Sequence, residues 1–243
     1  MRPLLIALLC SLALVPIDDL DAAPDPDRVL IFTRTAKFHH DSIPVAVATL
    51  HQLSAEAGMV ADQSDDPRSF RADNLARYRA VVFANTTGDV LDATQQAAME
   101  QFIRNGGGFM GVHAAADTEY DWPWYGELVG AWFHKHPEGL QETRVQPEHD
   151  GRTSGPAWPI RDEIYNYRRN PRDRVQVIAT VDEARYNGGS MGTDHPIAWC
   201  RPFDGGRSWY TGLGHDAAVY ADPNVRAQLR RGLRYAAGHA PDC

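Results

Sequence analysis

The sequence predicts a doubly wound α/β fold, with helices on both faces of a mostly parallel sheet. Three observations carry this expectation. Short apolar runs are bounded by polar residues, segments of helical spacing lie between them, and the two kinds alternate along the first half of the chain. Arg28 to Thr33 opens the series with a run apolar enough to be a strand buried on both faces. Ile43 to Ala57 carries apolar residues at helical spacing, with Asp41 or Ser42 as N-cap, Pro44 near the first helical position and Gly58 just beyond the end. Met59 to Gln63 reads as the second strand and Ala80 to Ala84 as the third. Asp92 to Asn105 is a helix capped by Asp92, and Gly108 to Val112 is the fourth strand. After Thr118 the pattern is irregular. Trp122, Trp124, Tyr125, Trp132 and Phe133 crowd around His134 and His136, a composition suited to covering or lining a pocket. Later strands are expected at Val175 to Val181, Ile197 to Cys200 and Ser208 to Thr211, and an amphipathic helix at Asn224 to Ala237.

The first 23 of the 243 residues read as an export signal, leaving 24–243 as one domain. Arg2 supplies a positive end, and Leu4 to Val15 is an apolar run too short to span a bilayer. Pro16 ends that run, and Ala22-Ala23 offer small residues before Pro24. A periplasmic or secreted protein is expected, with no integral membrane span after signal removal. One positive and three negative charges leave with the signal, taking the net charge from -8 to -6. No basic run is present to hold a phosphate backbone, which argues against nucleic acid as a partner. Cys200 and Cys243 are the only cysteines after residue 23. An oxidising compartment would permit them to pair, and Cys200 is read as a core residue rather than a reactive thiol.

In open α/β sheets ligands bind outside the carboxyl ends of the strands, so polar residues just after a strand carry most weight. His39 and His40 follow the first strand, His113 ends the fourth, His195 precedes the strand at Ile197, and His215 follows the strand ending at Thr211. Singly, each has an ordinary reading as a hydrogen-bonded structural residue; convergence of several would point to a site. His113 lies in Gly106-Gly107-Gly108-Phe109-Met110-Gly111-Val112-His113-Ala114-Ala115. Small residues on both sides suit a tight turn that projects one side chain into a cleft. A helix end at Gly106 followed by close backbone packing accounts for part of the same glycine run.

These stretches, with Phe38-His39-His40-Asp41-Ser42-Ile43, Asp162-Glu163-Ile164-Tyr165, His195-Pro196-Ile197-Ala198-Trp199 and Gly206 to Asp216, resemble the ThuA-like, trehalose-utilisation family. The resemblance runs from about Val29 to Gly238. It implies a flavodoxin-like sheet of the class I glutamine amidotransferase type. It also argues against glutaminase activity, since that chemistry needs a cysteine thiolate where this chain has His113. What it implies instead is work on a small sugar, through keto-sugar intermediates of trehalose and related disaccharides.

On that resemblance the catalytic candidates are His40, His113, Glu163, His195 and His215. Tyr165, Trp122, Trp124, Asp117 and Asp216 are candidates for substrate binding, and His136 is a further neighbour. A neutral histidine can take a proton alpha to a ketone, Glu163 can act as acid or orient a histidine, and Tyr165 can hydrogen-bond a carbonyl. Trp122 and Trp124 offer faces on which a pyranose ring stacks. No organic cofactor is implied. A divalent metal ion is an alternative use of the same residues, with His40, His113, His195 and His215 as candidate ligands. Two functions stay open at this point: a carbohydrate-active enzyme, and a non-catalytic sugar-binding or accessory module.

Overall fold

The computed structural model describes residues 25–243, so the expected export signal lies outside the described residues. Strand β1 (Arg28–Phe32), helix α1 (Ile43–Glu56), strand β2 (Val60–Ser64), the single turn α2 (Ala72–Leu75), strand β3 (Ala80–Ala84), helix α3 (Ala93–Arg104) and strand β4 (Gly108–Val112) form the alternating half. Beyond it come helix α4 (Pro123–Val129) and strands β5 (Phe133–Lys135), β6 (Gln141–His149), β7 (Arg152–Thr153), β8 (Trp158–Asp162), β9 (Asn166–Tyr167) and β10 (Gln176–Val181). The hairpin of β11 (Pro196–Phe203) and β12 (Gly206–Thr211) and the closing helix α5 (Pro223–Ala236) complete the chain.

Ten strands form one sheet in the order β2-β1-β3-β4-β12-β11-β10-β6-β7, with β8 also on β6, while β5 and β9 pair separately. From β2 to β12 every neighbour is parallel. From β12 onward every pairing is antiparallel. The sheet is therefore doubly wound in its first half and mixed as a whole. The physical reason is connection length: β11 and β12 are joined by a two-residue turn, Asp204-Gly205, which can only reverse the chain.

Alternate residues of the parallel strands feed two cores. Val29, Ile31, Ala80, Val82, Met110 and Val112 face α1 and α5, and Leu30, Phe32, Val81, Phe83 and Phe109 face the opposite layer with Tyr125 and Phe102. This two-sided burial is why these strands read as unbroken apolar runs. Helix α3 has the capping box its sequence promises: the Asp92 carboxylate accepts from the backbone N–H groups of Thr94 and Gln95, and the Gln95 side chain answers on Asp92 N–H. Gly106 has φ +94°, the left-handed conformation that ends a helix, and a Cβ on Gly108 would stand 1.8 Å from the Ala236 carbonyl oxygen. Two members of the glycine triplet are thus explained by backbone geometry and close packing.

Cys200 and Cys243 form a disulfide with Cα atoms 6.3 Å apart, inside the range such bridges span, and both are buried in the core beneath α5. None of the helices in the described residues is long and apolar enough to cross a membrane.

Candidate functional site

Three loops that leave β1, β4 and β12 at their carboxyl ends bring His40, His113 and His215 together, and the chain leaving β8 adds Glu163. One ligand atom from each of the four lies within 4.8 Å of the others. This is the strand-end position at which open α/β sheets bind ligands.

His113 begins a short 3-10 turn, His113–Asp117, directly after β4, and its φ of +48° is the left-handed conformation that non-glycine residues seldom adopt. The small neighbours Ala114 to Ala116 leave room for that sharp corner. The Tyr210 hydroxyl donates to the His113 carbonyl at 2.9 Å and clamps the backbone. The imidazole is fully buried, and its Nδ1 lies 2.8 Å from the Gly212 carbonyl oxygen. A carbonyl can only accept, so Nδ1 carries the hydrogen and the Nε2 lone pair is free. That Nε2 is buried with no hydrogen-bond partner.

Residues remote from the cavity hold His215 in place. The Gly214 carbonyl accepts from the Ser42 hydroxyl at 2.9 Å, the Asn85 amide at 3.2 Å and the Tyr220 hydroxyl at 3.1 Å. Ser42 precedes α1 as expected, yet its hydroxyl is used here and makes no cap bond to the helix. The fully buried Asp162 carboxylate accepts from the N–H groups of Gly214 at 2.7 Å and Asp216 at 2.9 Å, bracketing His215. Replacing Asp162 with asparagine leaves one of those buried donors facing an NH2 group. The expected cost is about 1–3 kcal/mol. It is read as a lower denaturant midpoint with faster hydrogen exchange at Gly214 and Asp216; unchanged exchange at both amides would contradict this account.

Glu163 is the meeting point. Its Oε1 lies 3.5 Å from His113 Nε2 and 3.4 Å from His215 Nδ1, while its Oε2 lies 3.1 Å from His136 Nδ1. Burial works to raise the Glu163 carboxyl, but His113 and His215 outweigh it and hold it well below the usual carboxylate range. The Glu163 contact in turn raises His215. His40 is buried against the other two imidazoles, and burial first, then the like charge that protonated neighbours would carry, pushes it down to about 3. His40 is therefore a neutral lone-pair donor at physiological pH.

His40, Glu163 and His215 form one wall of a cavity of about 270 Å³ whose other walls are Phe38, Asp117, Phe133, His136 and Tyr165. The Tyr165 ring lies against His113, centroids 4.2 Å apart, and against Phe133 at the same spacing. Phe38 stands at the rim, 61% exposed, edge-on to His40 at 4.8 Å. Burial raises the Asp117 carboxyl, which accepts a hydrogen bond from the Tyr120 hydroxyl at 2.7 Å.

Of the expected site residues, His40, Glu163, His215, Tyr165 and Asp117 thus line one cavity, His113 is fully buried behind them against Tyr165 and Glu163, and four others stand elsewhere. His195 is buried behind Tyr165: its Nε2 donates to the Tyr165 carbonyl at 2.8 Å, and its Nδ1 faces the Tyr186 hydroxyl at 3.1 Å and Glu183 at 2.7 Å. With both nitrogens engaged it has no lone pair for a ligand. Trp122 and Trp124 stack on each other in the layer of α4, and their indole N–H groups donate to Glu100 and Asp204 away from the cavity. Asp216 caps the turn that begins at Ala217 and faces Arg161. His149 is exposed beside Asp150. The residues least visible beforehand are Asp162, whose only signal is its place beside Glu163, and Phe133, which reads as one more aromatic in a crowded segment.

The sequence pattern of the ThuA family, described as trehalose utilisation, matches residues 28–236. The chain belongs to the ThuA family. Solved ThuA-like proteins share its fold: one from Bacteroides uniformis is 21% identical with a TM-score of 0.71, over 90% of this chain and 94% of that one. Another, from Parabacteroides merdae, is 19% identical with a TM-score of 0.69, over 88% of this chain and 91% of that one. The ThuA fold also recurs inside a larger enzyme: a β-galactosidase of Bacillus circulans sp. alkalophilus, 14% identical with a TM-score of 0.52, matches 89% of this chain with 32% of its own. No curated protein sequence matches the chain. Membership of the ThuA family, described as trehalose utilisation, makes this protein carbohydrate-related.

Proposed function

We propose that this chain is an exported enzyme acting on an oxidised sugar, a keto-disaccharide or keto-glycoside derived from trehalose or a relative. The observation that carries this reading is the convergence of His40, His136, His215 and the ionised Glu163 carboxylate on one small cavity, with His113 buried directly behind them. At about 270 Å³ the cavity is just under the size range of drug-sized ligand pockets and suits a single pyranose ring. Phe133, Tyr165 and Phe38 offer apolar faces to the ring's C–H bonds, while Asp117 and His136 meet hydroxyls.

A ring ketone one carbon removed from the anomeric carbon acidifies the C–H bond between them. A neutral imidazole of the cluster takes that proton, the electron pair forms the ring C=C bond, and the glycosidic C–O bond breaks. Asp117, its carboxyl raised by burial, gives a proton to the departing oxygen. Water adding back across the double bond makes the overall change hydrolysis. The Cys200–Cys243 bridge supports the exported setting, because such bonds persist in oxidising compartments.

The test is direct. The purified chain is incubated with a keto-disaccharide and, separately, with its unoxidised parent, and the release of monosaccharide or unsaturated sugar is followed. Turnover is expected with the ketone alone. Asp117→Asn is expected to keep binding and lose about 10²–10⁴-fold in kcat. Binding of both sugars with turnover of neither would favour an accessory sugar-binding module and end the enzyme reading.

A further inference from the structure

We propose that His40, His113, His215 and Glu163 form a binding site for one divalent transition-metal ion. The inference rests on geometry and stands apart from the sugar reading. Charge-assisted hydrogen bonds between a ring nitrogen and a carboxylate run about 2.7–2.9 Å. The His113 and His215 contacts to Glu163 Oε1, at 3.5 and 3.4 Å, are longer than that, and both nitrogens lack a hydrogen-bond partner. Two ligands each about 2.0–2.1 Å from a tetrahedral ion lie about 3.4 Å from one another. The two observed spacings match ligand-to-ligand edges, with every other pair within 4.8 Å, and are too long for good ion-pair bonds.

The tautomer of His113 and the orientation of Glu163 point the same way. A metal needs neutral imidazoles and an ionised carboxylate. The Gly212 carbonyl fixes His113 in the tautomer whose free lone pair faces the cluster, the supporting contact that metal-bound histidines ordinarily have. His136 against Oε2 keeps the other carboxylate oxygen facing the histidines. His40 contributes a further buried ring nitrogen, Nδ1, with no partner. Three buried imidazole nitrogens without a hydrogen-bond partner, on residues that with Glu163 each offer a ligand atom within 4.8 Å of the others, would all be satisfied by one cation. Nitrogen and carboxylate ligands suit zinc, cobalt, nickel or manganese. An ion there would open onto the cavity and could polarise a bound carbonyl oxygen; with His40, His113 and His215 engaged, His136, which also lines the cavity, would be the imidazole left to take the substrate proton and Asp117 the acid.

The experiment titrates the chelator-stripped protein with Zn2+ and with Co2+ by calorimetry, with no sugar present, and records the visible spectrum of the cobalt form. One ion per chain is expected, with a cobalt spectrum of low-coordinate type and a raised melting temperature. His215→Ala and Glu163→Gln should each weaken binding by at least roughly 100-fold, as loss of a direct ligand exceeds the 10–100-fold cost of losing a supporting one. His134→Ala/His149→Ala, which removes two exposed histidines, should bind as the parent does. His215 is partly exposed and Glu163→Gln keeps its shape, so both variants are expected to fold, with circular dichroism as the check. Absence of a stoichiometric ion in the parent, or equal affinity in the folded Glu163→Gln and His215→Ala variants, would overturn the proposal. Metal binding without keto-sugar turnover would leave this site standing and remove the enzymatic reading; keto-sugar turnover by a parent protein that binds no stoichiometric ion would do the reverse.

Discussion

Glu163→Gln is expected to lower turnover of a keto-disaccharide by about 10²–10⁴-fold while the protein stays folded. Glutamine occupies the same volume, so the cavity keeps its walls, and only the charge facing His113, His136 and His215 is lost. Two consequences follow in the same measurement. His215, raised by Glu163, loses the contact that raises it. The amide NH2 can also turn toward an imidazole and occupy the lone pair that should act on substrate. The effect should appear in kcat more than in KM, because the sugar's ring contacts with Phe133 and Tyr165 are untouched. A variant that turns over the ketone at the parental rate would move the chemistry away from this cluster altogether.

Loss of the Cys200–Cys243 bridge is expected to be the largest single change in stability. The cysteines are 43 residues apart, and closing a loop of that length removes about 4 kcal/mol of chain entropy from the unfolded state. For a domain of this size each kcal/mol moves the melting temperature by about 2–4 °C, so a fall of roughly 8–16 °C is expected. Cys243→Ala is the cleaner variant, because both cysteines are buried and a serine hydroxyl at either would add a burial cost of its own. Thermal unfolding with and without reductant measures the effect in the parent. A shift within about 2 °C in both tests would mean that the closing segment is held by α5 and the Arg231 contact to the Cys243 carbonyl instead.

Much of the alternating half is legible in the sequence because β1, β3 and β4 are buried on two faces, while the edge strand β2 is not. Val29 to Phe32, Ala80 to Ala84 and Gly108 to Val112 have hardly any exposed surface, so their composition alone marks them as strands. β6 escapes notice for the opposite reason. Gln141-Glu142-Thr143-Arg144-Val145-Gln146-Pro147-Glu148-His149 sits near the sheet's antiparallel edge, and only Thr143 and Val145 are buried, so no apolar run announces it. β8 is similar, with alternate residues exposed. Glu163 emerges from that half of the sheet, and its distance from the histidines could not be read from spacing.

By itself the sequence determined the doubly wound parallel half, the strand-end placement of His40, His113 and His215, and the missing thiolate that disfavours glutamine chemistry. It did so because strand burial and the position of a residue just after a strand are local properties. Only the tertiary structure decided which histidines are free. His113 and His195 look equivalent along the chain, both buried and both next to a strand. One gives a single nitrogen to the Gly212 carbonyl and keeps the other open, while His195 has both engaged by Tyr165, Tyr186 and Glu183. An imidazole's role follows from what faces its two nitrogens, and those partners come from segments about 10 to 100 residues away.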